Sequence, residues 1–498
     1  MKIFSVAVVM FLVLVGAARA ADGSSTDNMM VTKAPPPAAK SSSSTPASCT
    51  NLWDFVSTDC PLSWYGITVY GTVDLGVTWL SHGTPYSPTS AVTAEYLVQK
   101  ASNRSLWTQA ANGLQNSGIG VKGDEQFAPG WSFIFDLEAG FDPYSFQLSN
   151  GPYSVTQNSG VPLNSQNAGS DSSRAGQFYN AVGYAGVSSP TYGTLTVFRQ
   201  NALTLDGVFA YDPLGASYAF SPLGWQGITC GFGDTETCRF TTSVKYRVDI
   251  GPFRAAALWQ FGGYDQNNPS NGAYQFQIGG DISHLANGVL SLDAIYSHSR
   301  DAVEVALAGN PGPPLPFETL TATISDNTSV MLLSRYTNGP LKLYAGYEWI
   351  QYAPPSDNIF SFTDIAGTFL CAGCAAVNNT NIVNNAFSGS AGFRDKIFQV
   401  VWTGAKYAVT DTLDLTVAYY FNAQNSYVVT GPNAGCSSAI APQCSGTFNA
   451  VSFVADWKFA KKFDAYAGIM YSEVNNGLAS GFLKTNNIDP TVGLRFRF

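Results

Sequence analysis

From Ile488 to the C-terminal Phe498 every second residue is apolar: Ile488, Pro490, Val492, Leu494, Phe496 and Phe498. Between them stand Asp489, Thr491, Gly493, Arg495 and Arg497. A period of two sends alternate side chains to opposite faces of a strand, so this segment has one apolar and one polar face. The pattern returns along the chain. Odd positions from Ile67 to Trp79 are apolar or glycine, against Thr68, Tyr70, Thr72, Asp74 and Thr78. Trp131, Phe133, Phe135 and Leu137 alternate with Ser132, Ile134, Asp136 and Glu138. Phe240, Thr242, Val244, Tyr246 and Val248 share an expected apolar face, as do Phe253, Ala255, Ala257, Trp259 and Phe261. The last third repeats it at 341–349, 413–420 and 451–459.

The chain opens on Lys2, an apolar run from Ile3 to Val15, and Ala18-Arg19-Ala20. This reads as a secretory leader cut after Ala20, and it is left out of the fold. No later segment reaches the ~18 consecutive apolar residues of a spanning helix. A membrane fold must therefore be built of strands, and only a closed barrel satisfies every backbone group in lipid without helices. Composition agrees: charged residues are 12% of the chain, against about 25% in ordinary soluble domains. Removing Lys2 and Arg19 with the leader takes the net charge from −9 to −11. That balance argues against a nucleic-acid partner.

The eight cysteines form four local pairs: Cys49 with Cys60, Cys230 with Cys238, Cys371 with Cys374, and Cys436 with Cys444. In an exported chain such pairs read as disulfides stapling loops. Cys371-Ala-Gly-Cys374 also has a zinc-like spacing, but no second Cys or His pair lies close by.

Strands are expected at about 64–80, 116–125, 130–141, 178–188, 193–201, 239–250, 252–262, 273–283, 289–299, 326–337, 340–351, 395–409, 412–424, 447–459, 463–474 and 488–498. Tight turns such as Gly251-Pro252 and Thr410-Asp411 alternate with long connections, at about 81–115, 142–176, 202–238, 300–325, 351–394 and 425–446. Short turns on one side and long loops on the other describe an outer-membrane barrel of a Gram-negative bacterium, with both termini in the periplasm. The expected fold is an all-β, transmembrane, antiparallel up-and-down barrel of about sixteen strands, wide enough for a water channel. Residues 1–20 are the leader, 21–63 a Pro/Ser-rich flexible segment with a disulfide loop, and 64–498 the barrel.

The residues resemble the general trimeric porins of Gram-negative outer membranes, in their alpha- and beta-proteobacterial form. Val69-Tyr-Gly-Thr-Val-Asp74 is similar to that family's opening strand, and Gly118-Ile-Gly-Val-Lys-Gly-Asp-Glu125 to its second strand and first turn. Tyr184-Ala-Gly-Val187 and Gly193-Thr-Leu-Thr-Val-Phe-Arg-Gln200 resemble its fourth and fifth strands. The resemblance implies a homotrimer in a lipid and lipopolysaccharide membrane. It also implies that Phe498 is the terminal aromatic read by the assembly machinery. It further implies a third external loop folded into the barrel, here 202–238. The family's acidic "PEFGG"-type stretch is absent there, and Ala181 stands where many relatives carry an arginine on the fourth strand.

The expected function is passive diffusion of small hydrophilic solutes and ions, with a weak cation preference tilted by the net charge. Carboxylates in a narrow wet gap favour cations, and Arg or Lys favours anions. The expected constriction acids are Asp206 and Asp212 in the infolded loop. The expected wall bases are Arg199, Arg239, Lys245, Arg247 and Lys122. A substrate-specific channel for sugars or organic acids is one alternative, and an exported β-rich adhesin or surface structural protein another. No enzyme is expected: Ser297-His298-Ser299 places its hydroxyls and imidazole on opposite faces of one strand. No metal or other cofactor is expected either, with calcium in the external loops left open and no EF-hand pattern present.

Overall fold

The computed structural model describes residues 49, 51–86, 96–98, 102–146, 148, 178–223, 239–261, 272–300, 304–305, 322–323, 326–353, 395–427, 434–437 and 444–498. Sixteen strands close one antiparallel barrel. They are β1 Ile67–Gly83, β2 in two halves (Arg104–Ala111 and Gly118–Ala128), β3 Trp131–Gly140, β4 Val182–Ser189 and β5 Gly193–Asn201. β6 Arg239–Ile250, β7 Phe253–Gln260, β8 Ala273–Leu285, β9 Gly288–Ser299 and β10 Asp326–Asn338 follow. β11 Leu341–Ala353, β12 Lys396–Thr410, β13 Leu413–Gln424, β14 Gly446–Ala460, β15 Phe463–Asn476 and β16 Asn486–Arg497 complete the wall. Each strand pairs with its neighbours in sequence, and β16 pairs back onto β1 from Thr72↔Arg497 to Thr78↔Thr491. Closure leaves no free sheet edge for another chain to extend.

Alternation governs burial as the sequence pattern predicts. On β14, Val451, Phe453, Trp457 and Phe459 are 46–53% exposed, while Ser452 and Val454 are at most 2%. The inner face is less wet than a strict polar-inside reading implies. Met331, Val400, Trp402, Phe448, Val454 and Met470 point inward and are buried in one apolar cluster. Residues 202–223 supply much of the other side of that cluster.

Two irregularities depart from the sequence expectation. β2 is longer than the expected 116–125 and is broken. β1 pairs with its upper half from Leu75↔Ala111 to Gly83↔Arg104 and with its lower half from Ile67↔Gly123 to Thr72↔Gly118. Both halves run along one neighbour and make one strand, so the first external connection is shorter than 81–115. Residues 112–117 (Asn-Gly-Leu-Gln-Asn-Ser) project from the strand, starting at Asn112 with φ 61°. Fully buried Asp74 on β1 holds the projection: it accepts from the Leu114 and Gln115 amides, each at 2.8 Å, and from the Tyr466 hydroxyl at 2.6 Å.

The second irregularity lies between β5 and β6. The register shifts between Phe198 and Gln200, and Phe198 and Thr242 adopt φ of 85° and 47°. A bulge re-aims the side chains beyond it. Phe240, expected on the outward apolar face, is instead buried in the inner cluster.

The connection after β5 carries helix α2, Leu203–Tyr211, and the N-terminal segment carries helix α1, Leu52–Ser57. Asn51 caps α1, its side chain accepting from the Asp54 amide. Of the four expected cysteine pairs, two are formed as disulfides, Cys49–Cys60 and Cys436–Cys444. The second expected pair, Cys230 and Cys238, lies outside the described residues, with Cys238 immediately before the start of β6 at Arg239. Cys371 and Cys374 lie outside them too, as do the leader, residues 21–48 and most of the external-loop positions where calcium was left open.

Candidate functional site

Residues 202–223 follow the inner wall around half of its circumference. Helix α2 packs on β7, β8, β9, β10 and β11. Beyond it the chain is pinned strand by strand. Trp402 Nε1 on β12 donates to the Tyr211 carbonyl at 3.0 Å, and the Tyr420 hydroxyl on β13 donates to Asp212 at 2.7 Å. Ser452 Oγ on β14 donates to the Phe220 carbonyl at 2.6 Å, and the Phe220 ring meets Tyr466 of β15 edge-on. The end of the segment reaches the β2 projection, where the Ala219 amide and Ser217 Oγ donate to the Gly113 carbonyl at 2.9 and 2.8 Å.

The wall left facing this segment is the inner side of β1–β6. On it, Asp136 of β3 stands opposite Tyr184 of β4 in the ladder. Asp136 and Glu138, two apart on β3, share a face. Both accept from the Tyr70 hydroxyl of β1, at 2.6 and 3.2 Å. Lys122 of β2 lies 5.0 Å from the centre of the Tyr70 ring.

Of the acids expected from sequence, Asp206 sits in the first turn of α2 and is paired at once. Lys245 of β6 reaches it at 3.1 Å, and Arg247 of β6 bonds it closely. Asp212 is only 3% exposed. It accepts from the Ala216 amide at 2.7 Å as well as from Tyr420. Burial pushes its carboxyl above the usual range, and the Tyr420 and Ala216 hydrogen bonds oppose that push. Asp212 thus serves the fold of its own turn rather than facing water.

Among the expected bases, Lys245 and Arg247 join Asp206, and Lys122 joins the β3 acids. Arg199 is buried and donates through Nη2 to the Asn180 carbonyl at 2.7 Å. Its guanidinium lies beside Ala181, so the fifth strand supplies an arginine where the fourth carries none. Arg239 pairs with Asn201 at the outer end of the β5–β6 ladder, away from Lys245 and Arg247.

Sequence reasoning passed over Asp136 and Glu138, although both stood on the polar face of β3. It also passed over a second network. Arg254 donates to Asp293 at 2.9 Å, to Asp281 at 2.9 Å and to the Tyr211 hydroxyl at 2.7 Å. Arg335 lies 5.6 Å from the centre of the Tyr211 ring and donates to the Ala210 carbonyl at 3.1 Å. A cation at the C-terminal end of a helix meets the negative end of its dipole. The usable signal was an Arg on the inward parity of β7 and β10, at the level where an infolded segment passes.

Trp402→Ala removes both a buried indole and the anchor of Tyr211. Such a truncation costs about 3 kcal/mol or more. The expected result is a lower unfolding temperature with a raised and noisier single-channel conductance, as α2 loses its far support. Unchanged conductance would separate Trp402 from the seating of the segment.

Comparisons with known proteins agree with this fold. A solved anion-selective porin from Comamonas acidovorans superposes with a TM-score of 0.51 at 13% identity, covering 87% of this chain and 99% of that one. A loop-deletion mutant of OmpT, an outer membrane protein of Vibrio cholerae, gives the same TM-score, identity and coverage. An outer membrane porin protein of Bordetella pertussis is 23% identical over 283 residues, 57% of this chain but only 53% of that relative. The family model for Gram-negative porins matches residues 16–477, nearly the whole barrel. With the sixteen-strand closure and the lumen segment in place, that match settles the family: this chain belongs to the Gram-negative porins.

Proposed function

We propose that the chain is an outer-membrane channel for passive diffusion of small hydrophilic solutes and ions, exported through a cleaved leader and without catalytic activity. One observation carries this reading. A closed barrel has half of its inner wall covered by residues 202–223, and the facing half carries a mixed set of charged side chains. A catalytic alternative finds no support at Ser297-His298-Ser299. His298 bonds Thr328 at 3.0 Å and lies tilted against Tyr274 on the outer face, while Ser297 and Ser299 are buried on the inner one.

The charges on this wall explain why selectivity should be weak. Asp136, Glu138 and Asp206 stand against Lys122, Lys245 and Arg247, three of each sign. Two of the bases are tied to Asp206. The β2–β3 side is therefore net acidic and the β6 side net basic, and this separation sets up a transverse field. The net charge of the chain tilts the balance to cations.

Purified protein in a planar bilayer under a salt gradient should give stable ohmic steps with a small cation-signed reversal potential. Absence of steps defeats the channel reading and favours an adhesin. Conductance that saturates with one solute class favours a substrate-specific channel. Asp206→Asn unmasks Lys245 and Arg247 and should move the reversal potential towards anions. Asp212→Asn should leave it in place. A homotrimer is part of the same proposal, and the mass of the detergent-solubilised protein checks it. So are loop disulfides joining Cys230 to Cys238 and Cys371 to Cys374, which a non-reducing peptide map would reveal.

A further inference from the structure

The geometry points to a function for the disulfide-closed N-terminal element: it is an oxidation-dependent clasp on the seam where the barrel closes. The seam between β1 and β16 differs from every other neighbouring pair, because no turn joins its two strands. Its ladder runs from Thr72↔Arg497 to Thr78↔Thr491. It ends at the periplasmic side with mutual backbone bonds between Gly71 and Phe498, at 2.9 and 3.0 Å. A Cβ at Gly71 would come within 2.6 Å of the Phe498 ring, so that ring packs over Gly71 of β1.

β1 extends past this point, and residues 67–69 would present an open edge. Leu62–Trp64 covers it, pairing Leu62↔Val69, Ser63↔Thr68 and Trp64↔Ile67. The hairpin between them is tight because Tyr65 and Gly66 adopt φ of 49° and 78°. Two successive residues with positive φ match the twist of the flanking strands.

From this hairpin the chain turns back over the seam. Phe55 of α1 meets Phe496 and Phe498 edge-on, with centroids at 6.0 and 5.9 Å. Phe496 is itself stacked on Phe463 at 4.8 Å. Lys462, in the turn between β14 and β15, places its ammonium 4.1 Å from the centre of the Phe55 ring and donates to the Cys60 carbonyl at 3.1 Å. Lys461 pairs with Asp59 at 3.4 Å. The element thus touches β1, the end of β16 and the β14–β15 turn, and these contacts straddle the seam. Cys49–Cys60 closes the ring that carries Phe55 and holds it over the two terminal aromatics. A six-residue helix is too short to persist alone in water, so the bond is what keeps this face assembled.

Reduction by dithiothreitol transfers two electrons and two protons to the Cys49–Cys60 bond. It leaves two thiols and the cyclic disulfide of the reagent. The clasp should then loosen while the rest of the barrel stays closed. Hydrogen exchange on the full, folded chain reads this directly. Amides of 67–78 and 491–498 should exchange several-fold faster after reduction, and those of β8 and β9 should not change.

Cys49→Ser with Cys60→Ser should reproduce the effect and abolish any further response of the seam to reductant. Cys436→Ser with Cys444→Ser should leave the seam response intact. Phe55→Ala keeps the bond and should still accelerate exchange at the seam, so the test stands even if the cysteine variant folds poorly. Unchanged seam exchange after reduction and in Phe55→Ala overturns the proposal. So does an equal effect from the variant lacking Cys436 and Cys444.

Discussion

Arg495→Leu is expected to lower the stability of the barrel by about 3 kcal/mol, the lower end of the range for removing one partner from a buried ion pair. Arg495 lies on the inner face of β16 at the periplasmic end. Its Nη2 reaches Asp464 at 2.7 Å and Asp456 at 3.3 Å, and its Nε donates to Asp464 at 2.8 Å. The Asp464 side chain is only 1% exposed and keeps Arg497, at 3.0 Å, as a remaining partner. Asp456 keeps no comparable ion pair among the described residues. Loss of Arg495 thus strands Asp456 on β14 and leaves Asp464 on β15 with Arg497 alone. The measurement is the temperature at which the fast-migrating folded band converts on a denaturing gel. Arg495→Leu should convert well below wild type, and Arg495→Lys should recover part of the difference. Equal conversion temperatures would show that the cluster is solvated and contributes little.

Asp136→Asn combined with Glu138→Gln should reverse the sign of the small reversal potential. These carboxylates line the wall facing residues 202–223 and have Lys122 as the nearby base. Two unit charges about 4 Å apart interact by about 1 kcal/mol in water, which corresponds to roughly fivefold in a permeability ratio. Neutralising both acids leaves Lys122, Lys245 and Arg247 against Asp206 alone. The channel should then prefer anions by about that factor. High salt should shrink the change, because the Debye length falls to about 3 Å at 1 M. A double variant that keeps the wild-type sign would locate the selective charges elsewhere, in the external connections.

The contrast between what could and could not be read in advance follows from physical range. Strand position and facing are local properties, set by a period of two, and Leu341 to Trp349 or Val451 to Phe459 needed nothing else. Bulges are set by backbone conformations at single residues such as Phe198 and Thr242, which have no periodic signature. Phe240 was therefore assigned the wrong face. The broken β2 was missed for a related reason: Asn112 to Ser117 looks like a loop end, and its anchor Asp74 lies on another strand. The charged wall was half visible. Inward parity identified Lys245, Arg247 and Lys122 as lumen residues. It could not show that Asp206 would be consumed by two of them, or that Asp212 would turn inward to Tyr420, 208 residues away.

The pinning of residues 202–223 has a consequence for how the molecule comes into being. Its docking partners include Trp402, Tyr420, Ser452 and Tyr466, all from the last fifth of the chain. Gly113, near the beginning, receives its far end. The seated segment therefore cannot exist before the final strands are present and the first and last have met. A chain halted partway through insertion has neither a sealed wall nor a docked segment. Completion of the wall and docking of residues 202–223 are one event, so the cell meets this barrel either absent or with its inner segment already in place.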